Sequence, residues 1–393
     1  MSEEHLQLPR RIGLIGAVAL AFNGAVAASI FALPASLAAD FGNFSPWLFP
    51  IVGFAALLII VPFTWSAAAF PDNGGPAIYG RVFGRWVGFE LGWIYYVARA
   101  TAFAANANVL TAYLARWIPG ADQGALRIVL LLAVTALFAA INIAGVRKAI
   151  SLLASLAVIK SVPLFVTAIV AIALTFPWPA PAPVPTLTQF EAGLLIVFYA
   201  FVGFENAVIP AGETRNPSTV LPRAIFITIA VTTLLYFLVQ LAFVSALPGG
   251  TTDQKAPLID LGSWLAGPSG AAMLTLAAIA SLSGSLHGLM TSAPRVTHAL
   301  GALGDLPRWF ARVHPRFETP ANSILFLALL SCALAISGSF VWLAVVSTLA
   351  RMIVYAVTIA ALPRARPDKR LAWPHRAVAG AGILVCLWAA AQA

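Results

Sequence analysis

Charged residues are scarce in this sequence. Aspartate, glutamate, lysine and arginine make up 9% of the 393 residues, whereas 61% of residues are hydrophobic and the mean hydropathy is +0.91. A water-soluble domain carries about a quarter charged residues. The composition therefore excludes a soluble fold and indicates a protein that crosses a membrane many times.

Cysteine is nearly absent as well. Cys332 and Cys386 are the only two, and both lie in apolar stretches, which argues against a disulfide framework or a cysteine metal site. The sequence also lacks the glycine-rich phosphate loop, the His-Glu-x-x-His zinc motif and the Gly-x-Ser-x-Gly nucleophile turn. We therefore expect neither an ATP-driven pump nor an enzyme, and neither a cofactor nor a metal.

Apolar runs fill most of the chain. Most of these runs are long enough to cross about 30 Å of hydrocarbon as a helix. We predict eleven membrane spans, at residues 12–38, 46–70, 86–114, 125–144, 150–176, 190–210, 224–247, 270–300, 322–338, 340–362 and 377–390.

The basic residues predict the orientation of these spans. With the N-terminus in the cytoplasm, 17 of the 23 lysines and arginines fall in inner segments, and the outer loops hold only Arg116, Arg127 and Lys255. This asymmetry is the positive-inside pattern of membrane proteins. It also explains the net charge of +9 without a nucleic-acid partner, because the bases lie in short loops between apolar runs. We expect a cytoplasmic-membrane protein with its C-terminus outside.

Two of the predicted spans are interrupted by residues that an ordinary span avoids. Span six contains Gly203, Glu205 and Asn206, and span one contains a run of small residues from Asn23 to Ser29. Backbone that leaves the helix inside a membrane persists only where it lines a cavity or holds a ligand. Paired broken helices in two halves are typical of inverted-repeat transporters with a site at the midplane. Close helix packing is the alternative explanation for the small residues of span one.

The sequence from Phe198 to Arg223, with its Gly-Glu-Thr-Arg-Asn-Pro exit at 212–217 and Leu-Pro-Arg at 221–223, resembles the sixth helix of the amino acid–polyamine–organocation (APC) superfamily. Pro-x-x-Gly-Gly at 71–75 and Gly-Asp-Leu-Pro at 304–307 resemble its inner loops. The resemblance implies an all-α polytopic LeuT-like fold with two inverted five-helix repeats, here 12–176 and 190–362. Residues 377–390 would form one additional helix, whereas most relatives have twelve spans.

The same resemblance implies a substrate site at the two breaks. In the family, backbone N–H groups of a Gly-Ser-Gly-Ile-Phe motif receive the substrate carboxylate, and the matching residues here are Ala27 to Phe31. Both glycines are absent here, and Ala27 and Ser29 stand in their places, which retains the backbone donors but narrows the pocket. Carbonyls near Ala25, Phe198, Tyr199 and Val202 would hold the amino group, and Tyr199 and Phe204 would form an aromatic gate. The implied substrate-binding residues are Ala25, Ala27, Ala28, Ser29, Ile30, Phe198, Tyr199, Val202, Gly203 and Phe204.

Ionisable residues inside the spans suggest how transport is coupled. Lys160 lies within span five, where an ammonium costs roughly 2.5–3.5 kcal/mol and must pair, reach the interface or lose its proton. Lysine occupies the place of a sodium ion in several members of the superfamily, so the resemblance implies proton coupling or sodium-independent exchange. A purely structural lysine is the alternative. The other coupling or gating candidates are Arg99, Glu205, Ser281, Ser285 and His287.

Arg99, Lys160 and Arg351 lie well inside spans, and the only acid well inside a span is Glu205. This excess of bases disfavours cationic substrates and leaves zwitterionic or anionic ones. We therefore predict a secondary active transporter of amino acids or close relatives. A channel or sensor with the same fold, or a carrier of another organic solute, remains the alternative.

Overall fold

The apolar runs form helices because backbone N–H and C=O groups in hydrocarbon must be paired within their own segment. The computed structural model describes residues 12–69, 75–144, 149–181, 184–208, 214–250, 254–365 and 372–392. Within these ranges the regular elements are helices, and one isolated β-bridge joins Ile12 to Thr214. Two short 3-10 turns, Gly42–Phe44 and Arg81–Phe83, accompany the α-helices.

The helices are numbered here in chain order. Their bounds are α1 Leu14–Ala25, α2 Ala28–Phe41, α3 Ser45–Ala69, α4 Pro76–Gly80, α5 Arg85–Leu114, α6 Gly124–Ala144, α7 Ala149–Leu174, α8 Leu187–Tyr199, α9 Glu205–Val208, α10 Pro217–Ala246, α11 Leu258–Ser292, α12 Pro294–Ala302, α13 Ala321–Ser337, α14 Phe340–Ala360, α15 Leu362–Ala365 and α16 Trp373–Ala391.

Each predicted span corresponds to a helix or to a pair of half-helices. Spans one and six are the pairs α1 with α2 and α8 with α9, and the other nine are α3, α5, α6, α7, α10, α11, α13, α14 and α16. In the described ranges, seven helical segments are long and apolar enough to cross a membrane by length and composition alone, and α1, α8 and α13 are shorter apolar helices. The repeat boundaries at 12–176 and 190–362 stay a prediction.

The start of helix α11 differs from its predicted position. Helix α11 begins at Leu258, well before the predicted start at 270, because Ala266 and Gly267 form a kink and not an end. Gly267 has φ +57°, a conformation that glycine adopts without cost, and Pro268 follows it. Most of the Pro-x-x-Gly-Gly loop and Gly212-Glu213 of the exit motif lie outside the described residues.

Helix α5 occupies the centre of the bundle, where it packs against α11, α13 and α14, and α3 packs against α10. Side chains of α6 and α7 that point away from the bundle are apolar and exposed, as expected of a lipid-facing surface. The additional helix α16 packs against α3 and α14. At Gly382 the contact is close, because an added side chain would overlap the Leu58 carbonyl.

Two contacts join the halves at the end of the bundle that holds Ile12. Arg215 N donates to Ile12 O at 2.9 Å, which links the segment before α1 to the segment before α10. Asp305, in the loop after α12, accepts hydrogen bonds from Arg81 and Arg85 next to α4. Burial raises the pKa of Asp305, but the bonds from Arg85 and Arg81 outweigh burial and hold this pKa below its ordinary value.

Candidate functional site

Span one is broken between α1 and α2. Val26 has φ −85° and ψ 90°, and Ala27 has φ −136° and ψ −128°, so neither residue is helical. Both φ values are negative, which explains how alanine can stand where the resembling motif has glycine. The break therefore forms without glycine at these two positions.

Span six is broken over residues 200–204, between α8 and α9. Gly203 has φ +107°, which side-chain-bearing residues rarely adopt. A Cβ atom on Gly203 would overlap the backbone of Gly24, and one on Gly24 would overlap the Gly203 carbonyl. The two breaks therefore meet backbone to backbone, and glycine is required on both sides of the contact.

A cavity of about 20 Å³, counted as the volume open to the centre of a water molecule, lies beside this contact. That is room for about one water molecule. Its lining includes eight of the residues predicted for substrate or coupling, and six others. The lining residues are Gly24, Ala25, Ala27, Ser29, Arg99, Ala102, Asn106, Tyr199, Val202, Gly203, Asn206, Ser285, Leu289 and Arg351.

The half-helix ends of span one are held by side chains from other spans. Tyr236 of α10 donates its hydroxyl to Ala25 O at 2.9 Å, and this hydroxyl oxygen is 2.8 Å from Ser29 Oγ. Asn106 of α5 accepts from the backbone N–H of Ala28 at 3.2 Å. Both contacts satisfy backbone groups that the break removes from the helix ladder.

Lys160 points at the break from α7. Its Nζ donates to Val26 O at 2.6 Å, lies 3.5 Å from Asn23 O and faces the Phe22 ring at 5.5 Å. Ser281 of α11 donates to the same Val26 carbonyl at 3.0 Å. The side chain of Lys160 is fully buried, so its amine is held by carbonyls of the broken span and does not reach the interface.

Glu205 is the centre of a buried network. Its Oε2 accepts from Gly203 N at 2.8 Å and from the Tyr355 hydroxyl at 3.2 Å, and its Oε1 accepts from Arg351 Nε at 2.8 Å. Arg351 further donates to Ser347 and to Ala98 O. The carboxylate thus ties the break in span six to α14 and α5.

Arg99 stands on the other side of the same carboxylate. Its Nη1 is 3.7 Å from Glu205 Oε1 and donates to Tyr95 at 3.0 Å, and its Nη2 donates to Asn206 Oδ1 at 2.8 Å and to Ser292. The guanidinium is fully buried and its Nε has no hydrogen-bond partner among the described residues. Arg99 therefore brings a buried positive charge to the cavity wall, and one of its five donors is unused.

Some predicted residues lie away from the cavity wall. His287 contacts Asn142 of α6, with 3.2 Å between its Nδ1 and Asn142 Nδ2. Phe204 packs against Phe63 and Tyr355. The Phe198 carbonyl accepts from Phe201 N at 2.9 Å, inside the turn that ends α8. Ala28 and Ile30 are buried, but their side chains do not line the cavity.

Asn106, Asn206 and Tyr236 were not among the predicted site residues. Asn106 and Asn206 could have been found from the rule that buried amides in a span need partners. Tyr236 gives no such signal, because a tyrosine in an apolar helix is unremarkable. Within the described ranges, no cluster of three histidine, cysteine or acidic side chains could hold a metal ion.

The sequence of this chain is similar to those of several known transporters. An uncharacterized transporter of Mycobacterium tuberculosis is 30% identical, over 97% of this chain and 86% of the relative. The branched-chain amino acid permease BcaP of Lactococcus lactis is 27% identical and the serine/threonine exchanger SteT of Bacillus subtilis 24%, each over 83% of this chain and 76% of the relative.

Among solved structures, MhsT in complex with L-phenylalanine matches with a TM-score of 0.66, over 98% of this chain and 100% of that chain, at 13% identity. This likeness confirms the predicted LeuT-like fold. The amino acid permease family model matches residues 12–391. The protein is therefore an integral membrane transporter, and the chain belongs to the amino acid permease family.

Proposed function

We propose that this protein is a secondary active transporter that moves amino acids or close relatives across the cytoplasmic membrane by alternating access. The observation that carries the proposal is the cavity between the two broken spans, next to the contact of Gly24 with Gly203. Backbone around Ala27, Ala28 and Ser29 would receive the substrate carboxylate, which would replace Asn106 as the acceptor of the Ala28 N–H. Tyr199 and Val202 supply the opposite wall.

The size of the cavity supports alternating access. It holds about one water molecule, and an amino acid is several times larger. Substrate can enter only if the walls separate, and in this proposal the two half-helix pairs move against α5 and α11. The N-terminus would face the cytoplasm, as the distribution of basic residues in the sequence predicts.

Lys160 supports sodium-independent coupling. Its amine donates to Val26 O in a fully buried position, where a carbonyl of the broken helix would otherwise hold a cation. Two modes fit this geometry. In proton symport the amine releases and regains a proton during each cycle, whereas in exchange it remains charged and stands in permanently for an ion.

Transport into proteoliposomes tests the proposal. The purified chain should accumulate labelled amino acid against its gradient under an imposed pH gradient, or should show strict counterflow with internal unlabelled substrate. Unchanged uptake when sodium replaces potassium is expected in both cases. Passive leak without accumulation or counterflow would instead indicate a channel.

Lys160→Met tests the coupling step. The variant should lose pH-driven accumulation and retain substrate binding, because the amine contacts the break and does not line the cavity. Lys255→Met is the matched control, since Lys255 forms an exposed ion pair with Asp122 at 2.6 Å. An equal loss of accumulation and binding in Lys160→Met would make the residue structural.

A further inference from the structure

We propose that Arg99 makes this carrier selective for substrates with a net charge of −1, that is, acidic amino acids or small monocarboxylates. The inference rests on the proposed function, because it takes the cavity between the broken spans as the substrate site. It adds a substrate class and a specificity-determining residue to that function.

The charges around the cavity do not balance. Arg99 and Arg351 both line it, and Glu205 is the one carboxylate within ion-pair distance of either among the described residues. Two permanent positive charges therefore share one negative charge at a position where all three side chains are buried. One positive charge remains without a counterion, which is costly in a medium of low dielectric constant.

The geometry shows which arginine carries the excess. Arg351 Nε hydrogen-bonds to Glu205 Oε1 at 2.8 Å, whereas the closest approach of Arg99 to that oxygen is 3.7 Å. The hydrogen bonds of Arg99 go to neutral groups, on Tyr95, Asn206 and Ser292. The carboxylate of Glu205 is thus committed to Arg351, and Arg99 is the less compensated cation.

Arg99 also has an unused donor. Its Nε is buried and has no hydrogen-bond partner in the described part of the chain, although an arginine guanidinium normally uses its donors. A carboxylate that enters the cavity beside Arg99 would supply the missing negative charge and an additional acceptor for the guanidinium. A single ligand group therefore compensates the charge that the protein itself leaves without a counterion at this wall.

Net charge separates the possible substrates. A zwitterion brings equal positive and negative charge, so the excess at Arg99 would persist in the loaded and closed site. A substrate with one more carboxylate than ammonium group cancels the excess when the walls close. Glutamate and glutamine are the most informative pair to compare, because they have nearly the same size and differ in net charge.

Counterflow in proteoliposomes of the full chain tests the inference. Labelled glutamate, glutamine and lactate are compared at pH 7, with lactate as the monocarboxylate without an ammonium group. We expect at least a tenfold preference for glutamate or lactate over glutamine. Arg99→Gln should reduce this preference about tenfold, and Arg99→Lys, which keeps the charge, should retain most of it. Arg116→Gln, an identical change at an exposed position, should leave the preference unchanged.

The outcomes distinguish failure of the charge selectivity from failure of the proposed function. Glutamine transport that equals or exceeds that of glutamate and lactate would overturn the charge selectivity and leave the proposed function standing. Absence of counterflow for every amino acid and acid tried would overturn both. A glutamate preference that survives in Arg99→Gln would remove Arg99 as its source. If Arg99→Gln does not fold, the ratio of glutamate to glutamine transport in the wild type and in Arg99→Lys still tests the charge selectivity.

Discussion

Replacing Glu205 by glutamine should cause the largest loss of stability of any single polar substitution in the site. The carboxylate accepts from Arg351 at 2.8 Å and lies 3.7 Å from Arg99, and all three side chains are buried. Removal of one partner from a buried ion pair costs about 3–5 kcal/mol, because the remaining charge has no counterion. At roughly 2 °C per kcal/mol for a chain of this length, the unfolding midpoint should fall by about 6–10 °C.

The assay is thermal unfolding of detergent-solubilised protein, followed by loss of the monodisperse peak. Glu191→Gln is the matched control, because Glu191 is only half-buried and accepts one bond, from Trp388 at 3.3 Å, which a glutamine oxygen can replace. Its midpoint should stay within about 1 °C of the wild type.

A double substitution sharpens the test of Glu205. Glu205→Gln combined with Arg351→Met should cost less than the sum of the two single changes, because the double variant no longer contains the unpaired Arg351 cation. Strict additivity, or a Glu205→Gln midpoint equal to that of the control, would refute the assignment of Glu205 as the counterion that fixes the break in span six.

Three other substitutions probe separate parts of the structure. Gly203→Ala should yield no monodisperse protein, because a methyl group at this position overlaps the Gly24 backbone. Gly249→Ala is the control and should purify normally, since the space around Gly249 is open. Equal yields of the two variants would contradict the close contact between Gly203 and Gly24. Tyr236→Phe should weaken amino acid binding about tenfold in a calorimetric titration, because the break in span one loses about 1.5 kcal/mol of hydrogen bonding. Unchanged affinity would be evidence that Tyr236 does not stabilise the break for substrate binding. Asp305→Asn should lower the unfolding midpoint by about 2 °C at neutral pH. Because the pKa of Asp305 is depressed, this difference should be complete above its ordinary value of 3.8 and shrink as the pH falls through the folded-state value; a pH-independent difference would contradict the ion pair.

The breaks and the lysine were predictable because each violates a rule that a membrane enforces locally. Gly203, Glu205 and Asn206 are expensive inside an apolar helix, so their presence marks a break without knowledge of the partners. Lys160 is equally conspicuous, and a buried ammonium needs acceptors such as the Val26 carbonyl that it contacts.

The partners of ordinary polar residues were not predictable, because they depend on the rotation and packing of each helix. Ser285 of α11 lines the cavity, but His287 comes two residues later, about 200° further around the helix, and contacts α6. Sequence order alone does not say which of these faces turns toward the breaks. The capping of Ala28 by Asn106 likewise depends on how α5 is seated against α2.

The backbone released at the two breaks is proposed to hold the substrate. A cryo-EM structure with a transported amino acid bound would locate the substrate relative to both breaks. We expect density for the amino acid between Ala27 and Ser29 on one side and Val202 and Gly203 on the other, with both spans still interrupted. Continuous helices through these residues, or substrate bound elsewhere, would contradict it.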